Sequence, residues 1–161
     1  MPSLRRPPEP PDPATLRARL VLLASEGREI PPAAVDFAAG LAERGGRAVH
    51  VFTVARVWGT SFGMPNPGLL PNRREWDDQR AIVDKAVEAL RRRGLDVTAQ
   101  VLATRKATKR IVGEAERLGC DAIVMAADPP RNRFVADLMW SQEPYRVRRR
   151  SPVPVYLVTG D

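Results

Sequence analysis

Strand-sized apolar runs alternate with amphipathic stretches along most of this chain, and that alternation restricts what it can fold into. "LVLLAS", Leu20 to Ser25, is continuously apolar, the mark of a strand covered on both faces. "PPAAVDFAAGLAERGG" follows, opening with prolines that suit a helix's first turn, where a missing N–H is no loss. Within it Ala34, Phe37, Ala38 and Leu41 recur at i, i+3, i+4 and i+7 and give one buried stripe. Gly45 and Gly46 are expected to supply its left-handed stop. "RAVHVFTV", Arg47 to Val54, reads as a second strand, and a helix over Arg74 to Arg93 carries the stripe Val83, Ala86, Val87 and Leu90, closed by Gly94. "DVTAQVLA", Asp96 to Ala103, alternates polar and apolar residues, as an edge strand with one wet face does. A helix over Ala107 to Leu118 stops at Gly119, and "DAIVMAA" is the fourth strand. A last helix begins at Gln142, with Ser141 as its N-cap, and runs to Arg150, before the fifth strand "VPVYLV", Val153 to Val158. The expected fold is α/β: a doubly wound, mainly parallel five-stranded sheet with helices on both faces, of Rossmann-like type.

Only one domain with a proper core fits in 161 residues. Six prolines in the first thirteen residues rule out a helix or inner strand there, so residues 1–15 are expected to form a free, disordered tail and residues 16–161 the domain. One connection is long: Val57 to Arg73, with three glycines, three prolines, Trp58 and Phe62, reads equally as a functional loop and as surface variation. No apolar run reaches membrane-spanning length, and the N-terminus has no apolar signal-peptide core, which gives the expectation of a cytoplasmic protein.

Little in the composition supports catalysis or metal binding. One cysteine, Cys120, excludes an internal disulfide and a cysteine-cluster metal site. One histidine, His50, sits inside a strand, where a neutral, hydrogen-bonded ring is expected, and Cys120 reads as a small buried hydrophobe at a strand entrance. No nucleophile–base pair, Gly-Lys-Ser/Thr run or GxGxxG after the first strand occurs, and the chain is expected not to be an enzyme. The formal net charge is +7, which favours anionic partners. Yet the runs Arg91–Arg93 and Arg148–Arg150 both end helices, where cations match the dipole, so nucleic acid is not the expected partner. Met139 and Trp140 are of a type that stacks on adenine but more commonly packs at a sheet's edge.

The order of elements and the residues at the strand ends resemble the universal stress protein family over nearly everything from Leu20 to Val158. The marks are Glu26-Gly27 ending strand one, Thr53-Val54 ending strand two, "AERLGCDAIVMAA" and the closing "SPVPVYLV". Nucleotide-binding members carry Gly-x2-Gly-x9-Gly-Ser after strand four, where glycines bring backbone N–H groups to phosphate and the final pair caps a helix. Here Ala126 and Pro129 stand at the first two glycines and Ser141-Gln142 at the last pair, with an interval two residues too long. Pro129 removes a donor and fixes φ, and Pro144 deletes another free N–H in the last helix's first turn. Arg131 and Arg133 lie in the same loop, as solvated residues or as side chains that hold phosphate.

The resemblance therefore implies a non-catalytic module that acts by protein contacts, with an altered or lost adenine-nucleotide site. It also implies a homodimer paired through the last strand, Val153 to Val158. Two rivals stay open. One is a stress protein that binds ATP or a related adenine nucleotide through Glu26, Gly27, Thr53, Val54, Met125, Ala126, Arg131, Arg133, Ser141 and Gln142. The other is a basic nucleic-acid-binding module, whose affinity would fall steeply with salt.

Overall fold

The structure, a computed structural model, describes residues 9–56, 60–61, 64–65, 73–128 and 142–159. Strand β1 (Val21–Ser25) leads to helix α1 (Pro32–Glu43) and β2 (Ala48–Arg56). Two short strands, β3 (Thr60–Ser61) and β4 (Met64–Pro65), pair antiparallel within the long connection, the rest of which lies outside the described residues. Then come α2 (Arg73–Arg92), β5 (Asp96–Thr104), α3 (Ala107–Leu118), β6 (Ala122–Ala126), α4 (Glu143–Arg150) and β7 (Val155–Val158).

Five strands form one sheet in the order β5-β2-β1-β6-β7, and every neighbouring pair is parallel. The chain winds outward from β1 to β5 on one side and from β6 to β7 on the other. The order therefore reverses between β1 and β6, where open α/β sheets place their ligands. Successive strand residues serve opposite faces. Val21, Leu23, Val49, Val51 and Val124 pack with α1 and α2, while Leu22, Ala24, Phe52, Ile123 and Met125 pack with α3 and α4. Central β1 is buried throughout, as its unbroken apolar run requires, and edge strand β5 is wet along much of its length.

The helix ends separate local from tertiary causes. Gly94 (φ +76°) and Gly119 (φ +67°) take the left-handed conformation expected of them. Gly45 and Gly46 do not: the left-handed residue after α1 is Arg47, at φ +59°. The two glycines are there because the chain passes against residues 18–19. A Cβ on Gly45 would lie 2.0 Å from the Ala18 carbonyl oxygen, and one on Gly46 would lie 2.3 Å from that of Arg19.

Before β1, the Tyr156 hydroxyl donates to the Pro11 carbonyl at 2.7 Å and Arg44 donates to that of Pro13 at 3.0 Å. Two element boundaries differ from expectation. Helix α4 starts at Glu143, with Gln142 in the cap position and no side-chain capping bond; the expected cap, Ser141, lies outside the described residues. β7 starts at Val155, because Pro154 has no N–H to give a ladder.

Candidate functional site at the strand ends

At the reversal point β1 ends in Ser25 and the chain turns sharply. The Ser25 hydroxyl donates to the Arg28 carbonyl and accepts from the Gly27 N–H at 3.2 Å, which closes the turn. Gly27 has φ +116°, and a Cβ there would sit 3.1 Å from the Val54 carbonyl oxygen. Glycine is thus required by the backbone angle, and the close approach of the β1 and β2 ends leaves a side chain little room.

Glu26 is 4% exposed, and a carboxylate so buried needs a partner. Arg28 supplies it: its Nε lies 2.5 Å from Glu26 Oε1, and its NH2 lies 3.2 Å from Oδ2 of Asp128, just past β6. One guanidinium therefore spans the crevice between the ends of β1 and β6. Burial works against the Arg28 charge, but Glu26 and Asp128 together outweigh it and raise its pKa. Tyr145, in the first turn of α4, donates from its hydroxyl to the Asp128 carbonyl at 2.5 Å and so pins this bridge to the helix.

Not every polar atom here is paired. Glu26 Oε2, Thr53 Oγ1 and Gln79 Oε1 are buried without a hydrogen-bond partner, although Gln79 donates through Nε2 to the Gly27 carbonyl at 3.0 Å. Thr53 pairs in register with Ser25, so these oxygens belong to the ends of β1 and β2 and to the α2 side chain above them. An open cavity of about 290 Å³ lies beside the bridge, with Arg28, Glu29, Pro32, Ala126, Asp128 and Val158 in its lining.

Of the residues singled out from the sequence, Glu26, Gly27, Thr53 and Val54 lie together at the ends of β1 and β2. Met125 is fully buried in β6 and belongs to the core, whereas its neighbour Ala126 reaches the cavity. Gln142 is exposed at the start of α4. Arg131, Arg133 and Ser141 lie outside the described residues, as do Pro129, Met139 and Trp140. Sequence reasoning missed Arg28, Gln79, Asp128 and Tyr145. Only Arg28, two residues from Glu26, and Asp128, directly after the fourth strand, left any local trace.

His50 and Cys120 are buried, away from this crevice. His50 Nδ1 shares a 2.7 Å hydrogen bond with Thr98 Oγ1, and Nε2 lies 3.4 Å from Glu114 Oε1 without making one. Burial lowers the His50 pKa against the pull of Glu114, with Arg117 adding to the lowering. Burial raises the Cys120 thiol to about 11, helped by Glu114 and Asp121. Among the described residues no group of three His, Cys, Asp or Glu side chains could hold a metal, and no helix is long and apolar enough to cross a membrane.

A parallel five-stranded sheet with this reversal point defines an α/β protein of the doubly wound class. The family model for the universal stress protein family matches residues 18–159, and the chain belongs to that family. Among solved structures it is similar to a universal stress protein family member from Burkholderia pseudomallei (TM-score 0.62, 19% identity, 88% of this chain and 96% of that one). It is also similar to the Archaeoglobus fulgidus universal stress protein in complex with dAMP (TM-score 0.61, 19% identity, 96% of this chain and 100% of that one). A third is a universal stress protein in complex with cAMP (TM-score 0.62, 19% identity, 88% of this chain and 97% of that one). At such identities the likeness concerns the fold. No curated protein matches the chain.

Proposed function

We propose that this chain is a non-catalytic universal stress protein module whose adenine-nucleotide site is altered so that it closes on itself, and that it acts through protein contacts. The observation that carries this reading is the Arg28 bridge. The carboxylate of Glu26 and that of Asp128 are both engaged by the protein's own guanidinium across the crevice where a ligand would enter. A nucleotide must break a charge-assisted pair to reach the buried carboxylate of Glu26, and the family's glycine motif, which brings backbone donors to phosphate, has alanine and proline at its first two glycine positions in this sequence. Such a module would assemble as a homodimer through β7, whose outer edge has no neighbouring strand among the described residues.

Calorimetry with AMP and with ATP plus Mg²⁺ tests this reading. The wild-type protein should give no binding heat up to about 1 mM ligand, equivalent to less than about 4 kcal/mol of affinity. Arg28→Ala should release Glu26 and bring AMP binding into the measurable range. Sub-millimolar binding by the wild type would sink self-closure.

A second reading has its own support. Three buried oxygens without partners, on Glu26, Thr53 and Gln79, suit a ligand that brings hydroxyl or amino donors. On that reading the protein binds adenine nucleotide, with arginine side chains taking phosphate in place of glycine amides. Arg28→Ala, Arg131→Ala and Arg133→Ala would then each weaken binding, the opposite sign at residue 28.

A further inference from the structure

Helices α3 and α4 lie side by side on one face of the sheet, joined by the Thr108 hydroxyl bonded to Glu143, with Ile111, Ala115 and Val147 turned inward. Their outward residues are strongly one-signed. Lys109, Arg110 and Arg117 on α3 and Arg146, Arg149 and Arg150 on α4 are exposed, with Lys106 at the α3 cap and Arg105 just before it. Glu116 is the exposed acid of the pair of helices. Arg117 is held by buried Glu114 at 2.6 Å and Arg146 reaches Glu143 at 3.3 Å. Arg105, Lys106, Lys109, Arg110, Arg149 and Arg150 make no ion pair among the described residues.

Local helix physics accounts for only part of this. Arg148–Arg150 end α4, where cations match the dipole. Lys106, Lys109 and Arg110 are placed the other way. They crowd the positive end of α3, whose first turn holds no acid and whose cap makes no side-chain bond. A cluster that opposes its own helix dipole gains nothing from the fold, and its favourable partner is an external anion.

We infer that the outward face of α3 and α4 docks on the phosphate backbone of duplex nucleic acid without reading its sequence. Arginine, the commoner cation here, matches phosphate in a bidentate fork. Helices packed side by side lie about 10 Å apart axis to axis, and α3 is about 18 Å long. Those dimensions suit rows of phosphate on either side of a groove. Neither helix exposes an aromatic ring, and Tyr145 is half-buried with its hydroxyl bonded, so the described residues of this face offer no platform for stacking single-stranded bases. A membrane surface is disfavoured because, among the described residues of this face, no large apolar side chain is exposed for insertion. At Gly113, in mid-face, an added Cβ would meet nothing within 4 Å, so that point of the face is open.

The test is fluorescence anisotropy with the full chain and a labelled 20-base-pair duplex of mixed sequence, from 50 to 200 mM salt. The wild type should bind at 50 mM and weaken steeply as salt rises, by about 0.9 log units in affinity per log unit of salt for each phosphate contacted. The variant Lys109→Gln, Arg110→Gln, Arg149→Gln, Arg150→Gln should lose tenfold or more affinity and flatten that slope by about 3.6 units. Its control, Arg74→Gln, Arg80→Gln, Lys85→Gln, Arg91→Gln, removes as much charge from α2 and should lose less than threefold. The smaller variant Lys109→Gln, Arg110→Gln repeats the comparison should α4 prove sensitive to the larger change. No duplex binding by the wild type at 50 mM salt would overturn the inference. Equal losses in patch and control variants would overturn it as well. Tighter binding to phosphatidylserine vesicles or to polyglutamate than to the duplex would assign the face to another partner class.

Discussion

The two helical layers cover the same sheet and differ in what they do with charge. Helices α1 and α2 carry six basic and seven acidic residues, whereas α3 and α4 carry seven basic and three acidic ones. In the first layer several charges are bound to one another, across elements or within α2. Arg93, just past α2, joins Glu43 at 2.7 Å and Asp36 at 3.2 Å, Lys85 reaches Glu29, and Arg92 pairs with Glu88. In the second layer Glu114 lies buried beside His50 and Glu143 bonds Thr108, and Lys109, Arg110, Arg149 and Arg150 are exposed with no ion pair among the described residues. Ion pairs within a layer read as part of the fold. Unpaired charge of one sign reads as a surface for something else.

The glycines repeat the contrast and set the largest expected effect. Gly45→Ala would drive a Cβ into the Ala18 backbone and should cost about 3 kcal/mol or more, seen as a lower urea midpoint. If Gly45→Ala unfolds at the wild-type midpoint, the close approach is not what requires glycine there.

The next effect is a slope in pH. Burial lowers the His50 pKa, so the unfolded chain binds a proton that the folded one resists. Stability is then full above the unfolded value of about 6.5 and falls as pH drops below it toward the folded value. His50→Gln should flatten that decline in urea midpoints measured between pH 7.5 and 5. A variant with the wild-type slope would remove His50 as its source.

Smaller changes should have opposite signs in the two layers. Gly113→Ala, in open space on α3, should stabilise by roughly 0.5–1 kcal/mol in thermal melts. Arg93→Ala should destabilise by about 0.5 kcal/mol, less in high salt, because its partners are partly or largely exposed. The smallest signal is chemical: Cys120, buried and raised to about 11, should react with a thiol reagent only on unfolding. Fast labelling of native protein would mean that the base of β6 opens readily.

Much of the fold was written locally. The unbroken apolar run of β1, the alternation of β5, the 3.6-residue stripes of the helices and the stops at Gly94 and Gly119 all depend on neighbours a few positions away. The resemblance at Glu26-Gly27 and Thr53-Val54 likewise marked two strand ends that the structure brings together. What tertiary structure alone decided are the meetings of distant segments. Arg28 reaches Asp128 only because β6 inserts beside β1, and Gly45 is crowded only because the chain after α1 returns against Ala18. Likewise α3 and α4 form one cationic face only because both crossovers land on the same side of the sheet. Periodicity fixes which face of an element is buried. Strand order fixes what it is buried against, and that order emerges from long-range burial that no local window contains.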